Sequence, residues 1–215
     1  MPEQRAQTWL EWGQACPLVP VVAVGEVEAA LGLASAFEAA GVKLMEIVLR
    51  LEGAMDCVAA VAEKHPQLVV GVGTITRAEQ LETAQKAGAQ FAISPGATDE
   101  LRAAMAASPL ACMPGIASVS EAMAARDAGL HAVKVFPAST VGGPAFIKAA
   151  AAVLPDMHFC PTGGVGLENV SKFTAAPRVF AFGASWVCKG DLLAARDWAE
   201  VTRRCRAIVD AAQSN

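Results

Sequence analysis

The sequence predicts an α/β protein with one domain, a (β/α)8 TIM barrel over residues 1–215 with an extra N-terminal helix near residues 3–14. Three observations favour this fold. Eight apolar, strand-like runs alternate with Ala-rich amphipathic segments, as parallel strands alternate with crossover helices. No linker or break in composition divides the chain. No G-x-G-x-x-G follows the first run, which argues against an open dinucleotide-binding sheet.

The eight strand candidates recur at a spacing of roughly 20–25 residues, which suits repeated βα units. The count matches a closed barrel, and the chain length is near the lower end for that fold. The candidates cover residues 19–24, 44–50, 69–74, 91–95, 110–114, 132–137, 158–162 and 179–183.

The helix candidates follow the strands and carry recognisable end signals. Thr76, Thr98 and Ser118 precede three of them as candidate N-caps, and Glu79 and Glu121 would complete two capping boxes. A repeated Ala-Gly pair ends three helices and predicts equivalent helix-to-strand turns. The candidates cover residues 26–40, 53–64, 77–87, 98–107, 118–128, 143–153, 167–175 and 191–212.

Composition excludes several classes of protein. The chain is 54% hydrophobic and has a net charge of -4 without a basic block, so we expect a sizeable core and no nucleic-acid partner. The N-terminus has no signal-peptide core, and prolines and a glycine break the uncharged stretch 103–120, so we expect no membrane span. Six scattered cysteines without C-x-x-C predict free thiols in a reducing cytoplasm. Three isolated histidines form no metal motif, so we expect no metal.

Lys134 is the most informative residue, because it lies inside the apolar run Ala132–Pro137. A lysine buried in a strand is costly unless it is paired or neutral. A neutral, desolvated lysine is a nucleophile that forms a Schiff base with a carbonyl. The alternative is a salt-bridged or snorkelling lysine without a chemical role.

Other polar residues are expected to converge on this lysine. Alternate residues of a barrel strand face the interior, and active sites lie at the C-terminal ends of the strands. The inward-facing polar residues in or near the upper halves of the strands are Glu46, Arg50, Thr74, Lys134 and Thr162. A structural ion pair between Glu46 and Lys134 is the alternative, but such pairs are expensive to desolvate. Five converging groups favour a pocket.

Two glycine-containing turns follow the seventh and eighth strands, Thr162-Gly163-Gly164 and Gly183-Ala184-Ser185. Barrel enzymes often bind phosphate at this place, through backbone N–H groups and a helix N-terminus. Glycine lets the backbone approach an anion closely. Ordinary tight turns are the alternative for each motif alone, but the pair of turns favours a phosphate site.

The chain resembles the class I aldolases that act on 2-keto-3-deoxy-6-phosphogluconate (KDPG) and 4-hydroxy-2-oxoglutarate (KHG). The resemblance runs from about Pro17 to the last helix. It rests on motifs whose order and spacing are highly specific: Glu46-Ile47-Val48-Leu49-Arg50, Gly71-Val72-Gly73-Thr74, Ile93-Ser94-Pro95-Gly96, Met113-Pro114-Gly115, Lys134-Val135-Phe136-Pro137-Ala138, Pro161-Thr162-Gly163-Gly164 and Gly183-Ala184-Ser185.

The resemblance implies a role for each matching residue. Lys134 would be the Schiff-base lysine and Glu46 the residue that shuttles protons. The remaining roles would be carboxylate binding by Arg50 and Thr74, lining by Pro95, Phe136 and Thr162, and phosphate binding by Gly163, Gly164 and Ser185. The chain departs from the family's frequent pattern at Leu51, where threonine is common, and at Ser139, where glutamate is common.

The resemblance further implies a homotrimer that cleaves KDPG reversibly to pyruvate and glyceraldehyde 3-phosphate, without a cofactor other than the imine on Lys134. KHG, cleaved to pyruvate and glyoxylate, would be a second substrate. Three other activities are the enzymatic alternatives: an aldolase for the 6-phosphogalactonate epimer, a metal-dependent pyruvate aldolase, and a phosphate-binding isomerase or epimerase. A barrel that binds a phospho-sugar without catalysis is the non-enzymatic alternative.

Overall fold

A computed structural model describes residues 2–214 of the chain, with side chains from residue 6 onward, so both end residues of the predicted domain lie outside it. Within this range ten α-helices alternate with nine strands. The strands are β1 (Leu18–Val22), β2 (Leu44–Val48), β3 (Val69–Gly73), β4 (Phe91–Ile93), β5 (Ala111–Met113), β6 (Gly115–Ile116), β7 (Ala132–Val135), β8 (His158–Pro161) and β9 (Phe182–Ala184). The helices are α1 (Pro2–Ala15), α2 (Val27–Ala39), α3 (Ala54–Lys64), α4 (Glu79–Lys86), α5 (Asp99–Ala107), α6 (Val119–Asp127), α7 (Gly143–Val153), α8 (Val170–Thr174), α9 (Gly190–Ala195) and α10 (Trp198–Gln213).

The strands form two parallel sheets, in the orders β5-β4-β3-β2-β1-β9 and β6-β7-β8. Pro114 separates β5 from β6, because proline has no N–H to donate to a ladder. The predicted strand 110–114 is therefore wrong at this residue. Two isolated parallel bridges, Phe159–Val179 and Thr162–Gly183, connect β8 to the segment that contains β9. The architecture is an α/β fold in which parallel strands are followed by helices.

Two further predicted elements differ from the structure. The predicted strand 179–183 starts later, at Phe182, since Val179 forms only an isolated bridge after Arg178, which has a left-handed φ of 64°. The predicted helix 191–212 is broken at Arg196, also left-handed at φ 51°. Asp197 then caps α10 by accepting a hydrogen bond from the Glu200 N–H.

The capping predictions were partly right. Ser118 and Glu121 form the expected capping box, and the Thr98 hydroxyl accepts from the N–H of the third helical residue. The Thr76 cap is wrong, because α4 begins after Ala78 and the Gln80 side chain accepts the N–H groups of Thr76 and its neighbour.

Helix α1 contributes the largest side chain of the inner core. Trp9 is fully buried and packs edge-on against Phe91, with 5.3 Å between the ring centroids. Residues near the N-terminal ends of the strands, including Leu44 and Ala132, complete the same cluster. The inner face of the sheets is therefore filled at this end, and the polar residues of the motifs lie toward the opposite end.

Candidate active site

Lys134 and Glu46 meet as a buried ion pair. Their residues are 5% and 1% exposed, and 2.9 Å separates the lysine Nζ from Glu46 Oε1. Leu44 and Ala132, two residues earlier on β2 and β7, belong to the inner core cluster. The period of two along a strand therefore brings Glu46 and Lys134 to the same inner space.

Gly73 provides the space that the Glu46 carboxylate occupies. It is the last residue of β3 and pairs with Val48 of β2. A Cβ at Gly73 would overlap the carboxylate of Glu46. Glycine at this position thus allows the acid to lie against the neighbouring strand and to reach the lysine.

An aromatic ring and a buried thiol lie next to the pair. The Phe136 ring centroid is 5.5 Å from the lysine Nζ, a distance at which a cationic lysine is attracted to the ring. Cys160 is the β8 partner of Lys134, and burial raises the pKa of its thiol to about 12. Cys160 therefore remains a neutral thiol at physiological pH and does not compete as a nucleophile.

Arg50 and Thr74 lie together beside the pair. The Arg50 Nε donates a hydrogen bond of 3.1 Å to the Thr74 hydroxyl, and the arginine is otherwise exposed. Thr74 has a φ of 61°, which is rare for a β-branched residue and costs backbone free energy. Such strain is concentrated at functional sites, and here it fixes a hydroxyl next to a guanidinium that suits a carboxylate.

A cavity of about 130 Å³ brings most of the predicted site residues together. Its lining consists of Val21, Arg50, Lys134, Phe136, Thr162, Gly163, Gly164, Val165, Gly183 and Ser185. Glu46 and Thr74 join this site through their contacts with Lys134 and Arg50. Pro95 is half-buried after β4 and lies outside this lining, with its carbonyl against Gly115.

Sequence reasoning missed two apolar lining residues, Val21 and Val165. Strand periodicity could have predicted Val21, because it lies two residues after Val19, which faces the inner core. Val165 lies in the loop after β8, where no periodicity applies.

The phosphate-site candidates lie at one side of the cavity. Gly163 and Gly164 both have a positive φ, of 93° and 76°, which residues other than glycine rarely adopt. Gly183 faces the Thr162 side chain so closely that a Cβ would overlap its hydroxyl. Ser185 is exposed directly after β9.

Metal ligands, cysteines and membrane-spanning helices are the other features that bear on function in the described part of the chain. Residues 6–214 contain no cluster of three His, Cys, Asp or Glu side chains that would hold a metal ion. The six cysteines are buried, and none of them forms a disulfide in the described part of the chain. None of the helices from Pro2 to Gln213 combines the length and the hydropathy needed to cross a membrane.

Comparison with known proteins identifies the family. The family model for KDPG and KHG aldolases matches residues 11–204. The chain belongs to the KDPG and KHG aldolase family. A KHG/KDPG aldolase from Escherichia coli K12 is 40% identical over 197 residues, which cover 92% of each protein.

Solved structures of similar sequence share the fold. A KDPG aldolase from Legionella pneumophila, with pyruvate captured as a covalent carbinolamine, has a TM-score of 0.90 at 35% identity and covers 94% of this chain and 98% of its own. The enzyme from Zymomonas mobilis ZM4, with 3-phosphoglycerate, has a TM-score of 0.88 at 31% identity over 94% of this chain and 95% of its own.

Proposed function

We propose that this protein is a class I aldolase that cleaves KDPG reversibly to pyruvate and glyceraldehyde 3-phosphate through a Schiff base on Lys134. The observation that carries the proposal is the 2.9 Å contact between Lys134 Nζ and Glu46 Oε1 at a cavity of this aldolase family. The covalent pyruvate carbinolamine in the Legionella relative supports chemistry through an amine, without a metal or another cofactor.

The reaction begins at the C2 ketone of the substrate. Lys134, after giving its proton to Glu46 or to water, attacks C2 and forms a carbinolamine, and loss of water gives the protonated imine. Arg50 and Thr74 bind the neighbouring carboxylate, which fixes the orientation of C2. Phe136 and Thr162 line the space around the carbon chain.

Cleavage uses the protonated imine as an electron sink. Glu46 takes the C4 hydroxyl proton, directly or through one water, and the C3–C4 bond breaks. Glyceraldehyde 3-phosphate leaves as an aldehyde, and the electron pair remains on C3 as an enamine. Glu46 returns the proton to C3, and water then hydrolyses the imine to release pyruvate and the free lysine.

The phosphate is bound at the other end of the cavity, by Gly163, Gly164 and Ser185. The 3-phosphoglycerate bound by the Zymomonas relative supports a subsite for a phosphorylated three-carbon unit. KHG is a second substrate of the same chemistry, since the names of the family and of the Escherichia coli relative include it.

The architecture of the whole protein follows from the same proposal. The bridges between β8 and β9 support one closed (β/α)8 barrel domain over residues 1–215, with α1 as an extra N-terminal helix. Resemblance to the family supports a homotrimer, which analytical ultracentrifugation would measure. Cysteines that form no disulfide among the described residues support a cytoplasmic location.

Reductive trapping tests the mechanism. Incubation with pyruvate and sodium borohydride should attach the three-carbon unit to Lys134, as identified by peptide mass mapping. Lys134→Met should abolish the adduct, and Lys64→Met, which alters an exposed lysine of α3, should leave it unchanged. An adduct on another lysine, or none, would refute the Schiff base. Pyruvate release from KDPG without an adduct, inhibited by a chelator, would indicate a metal-dependent aldolase.

A further inference from the structure

The turn after β8 has three successive carbonyl groups that are bound by other protein groups. The Thr162 carbonyl accepts from the Ala138 N–H at 2.8 Å. The Gly163 carbonyl accepts from both the N–H and the hydroxyl of Ser139, each at 3.1 Å. The Gly164 carbonyl accepts from the Asn169 side-chain amide at 2.8 Å.

These contacts also decide where the next three N–H groups point. In a trans peptide the C=O and the following N–H point in opposite directions, and the peptide bonds of this turn are trans. The N–H groups of Gly163, Gly164 and Val165 therefore point away from the groups that bind the carbonyls. The Gly163 N–H faces the Gly183 carbonyl, as the parallel bridge between Thr162 and Gly183 requires. The N–H groups of Gly164 and Val165 have no protein acceptor among the described residues, and both residues line the cavity.

The two side chains that bind the turn come from different elements. Ser139 lies in the loop after β7, and Gly164 must lack a Cβ there, because a Cβ would overlap the Ser139 hydroxyl. Asn169 precedes α8, and its side-chain oxygen also accepts from the Gly166 N–H at 2.9 Å. Ser139 thus fixes the peptide that carries the Gly164 N–H, and Asn169 fixes the peptide that carries the Val165 N–H.

We propose that Ser139 and Asn169 are positioning residues that hold the Gly163–Gly164 turn with the N–H groups of Gly164 and Val165 directed at the substrate phosphate. The inference rests on the proposed aldolase function, because it assigns the turn to that substrate. Successive N–H groups with left-handed residues form a concave site for anions. Ser139 and Asn169 touch the turn and act on the phosphate only through it. The serine, one of the departures from the family's frequent pattern, is part of this arrangement.

Kinetics with the phosphorylated substrate and its dephosphorylated analogue distinguish this role from a structural one. For Ser139→Ala and for Asn169→Ala we expect kcat/KM with KDPG to fall about 3- to 10-fold, the range of one neutral hydrogen bond, through a higher KM. The kcat, the kcat/KM with 2-keto-3-deoxygluconate and the rate of pyruvate trapping should stay within about two-fold of wild type, since a lost hydrogen bond outside the reacting end changes none of them.

Ser139→Thr keeps the hydroxyl and should restore the KM for KDPG. Thr140→Ala, which alters the exposed neighbour of Ser139, is the matched control and should behave as wild type. Equal losses on the phosphorylated and dephosphorylated substrates, or unchanged KM values in both alanine variants, would overturn the inference.

Calorimetric titration with inorganic phosphate gives a readout that does not depend on turnover. Both alanine variants should bind phosphate about 3- to 10-fold more weakly than wild type and Thr140→Ala. If the wild-type protein does not cleave KDPG but both alanine variants bind phosphate more weakly than it does, the aldolase proposal is refuted and the role of the turn is supported. Unchanged phosphate binding in the variants of an active enzyme would refute only the positioning role.

Discussion

Glu46→Gln is the substitution that most directly tests the proton transfers. The amide retains the size of the side chain, so it fits the space beside Gly73 and still accepts a hydrogen bond from Lys134. It has no basic oxygen that takes up and returns a proton. We therefore expect the variant to form an imine with pyruvate and to fail in moving protons at C3.

The expected size of the effect follows from the position of Oε1. The oxygen is 2.9 Å from Nζ, and C3 of bound pyruvate is two bonds away from that nitrogen. The carboxylate is therefore close enough to serve C3 directly or through one water. Loss of a positioned general acid or base typically slows a reaction by about 10²–10⁴-fold, and we expect the exchange of the pyruvate methyl protons to slow by this factor.

Proton NMR in deuterium oxide measures this exchange, and borohydride trapping measures imine formation in the same samples. Glu63→Gln, an exposed carboxylate on α3, is the control and should exchange at the wild-type rate. Near-normal exchange in Glu46→Gln would remove Glu46 from the mechanism. If Glu46→Gln loses both imine trapping and proton exchange, the acid is needed for the lysine to react at all.

Three further substitutions test other parts of the site and the fold. Ser185→Ala removes a hydroxyl at the cavity rim, so kcat/KM for KDPG should fall about 10–100-fold with little change in pyruvate trapping. Gly73→Ala places a methyl group in the space of the Glu46 carboxylate, and methyl-proton exchange should slow by about 10²-fold, the cost of a misplacement of ~1 Å. Gly190→Ala, in open space, is its control. Hydrogen bonds from two arginines one turn later lower the pKa of Glu200 from 4.5 to about 2, so its contribution to stability is present above pH 4.5 and is lost as the pH falls through 2. Acid unfolding of Glu200→Gln, followed by circular dichroism, should therefore show a shallower loss of stability across this window than wild type.

Each of these outcomes can fail in a specific way. Equal losses on KDPG and its dephosphorylated analogue would show that Ser185 supports the fold or the lysine and not the phosphate. Normal exchange in Gly73→Ala would mean that the Glu46 carboxylate works from another position. Parallel acid-unfolding curves for wild type and Glu200→Gln would contradict the lowered pKa.

The pair of Lys134 and Glu46 was predictable because strand periodicity alone fixes which residues face inward. Ala132 and Lys134 alternate with outward-packed valines, and that alternation is visible in the sequence. The break at Pro114 was also open to prediction, since proline cannot donate to a ladder. The apolar run 110–114 had instead predicted a strand that continued to this residue.

Three local conformations were not predictable from residue preferences. Thr74 adopts a left-handed backbone that its residue type disfavours, and the Gln80 side chain displaces the expected Thr76 cap. Arg196 breaks the last helical segment although its local sequence is strongly helix-forming. In each case the observed conformation departs from the local preference, and a single sequence does not reveal that departure.

The contact between Lys134 and Glu46 also constrains how such a chain changes over evolutionary time. Losing one member of a buried ion pair strands a charge in the interior and typically destabilises a protein by about 3–5 kcal/mol, whereas replacing both with apolar residues is often neutral. Many domains have only about 5–15 kcal/mol of stability. A lineage that gave up catalysis would therefore pass through a less stable intermediate, so inactive descendants with one charge retained should be rarer than those that have lost both.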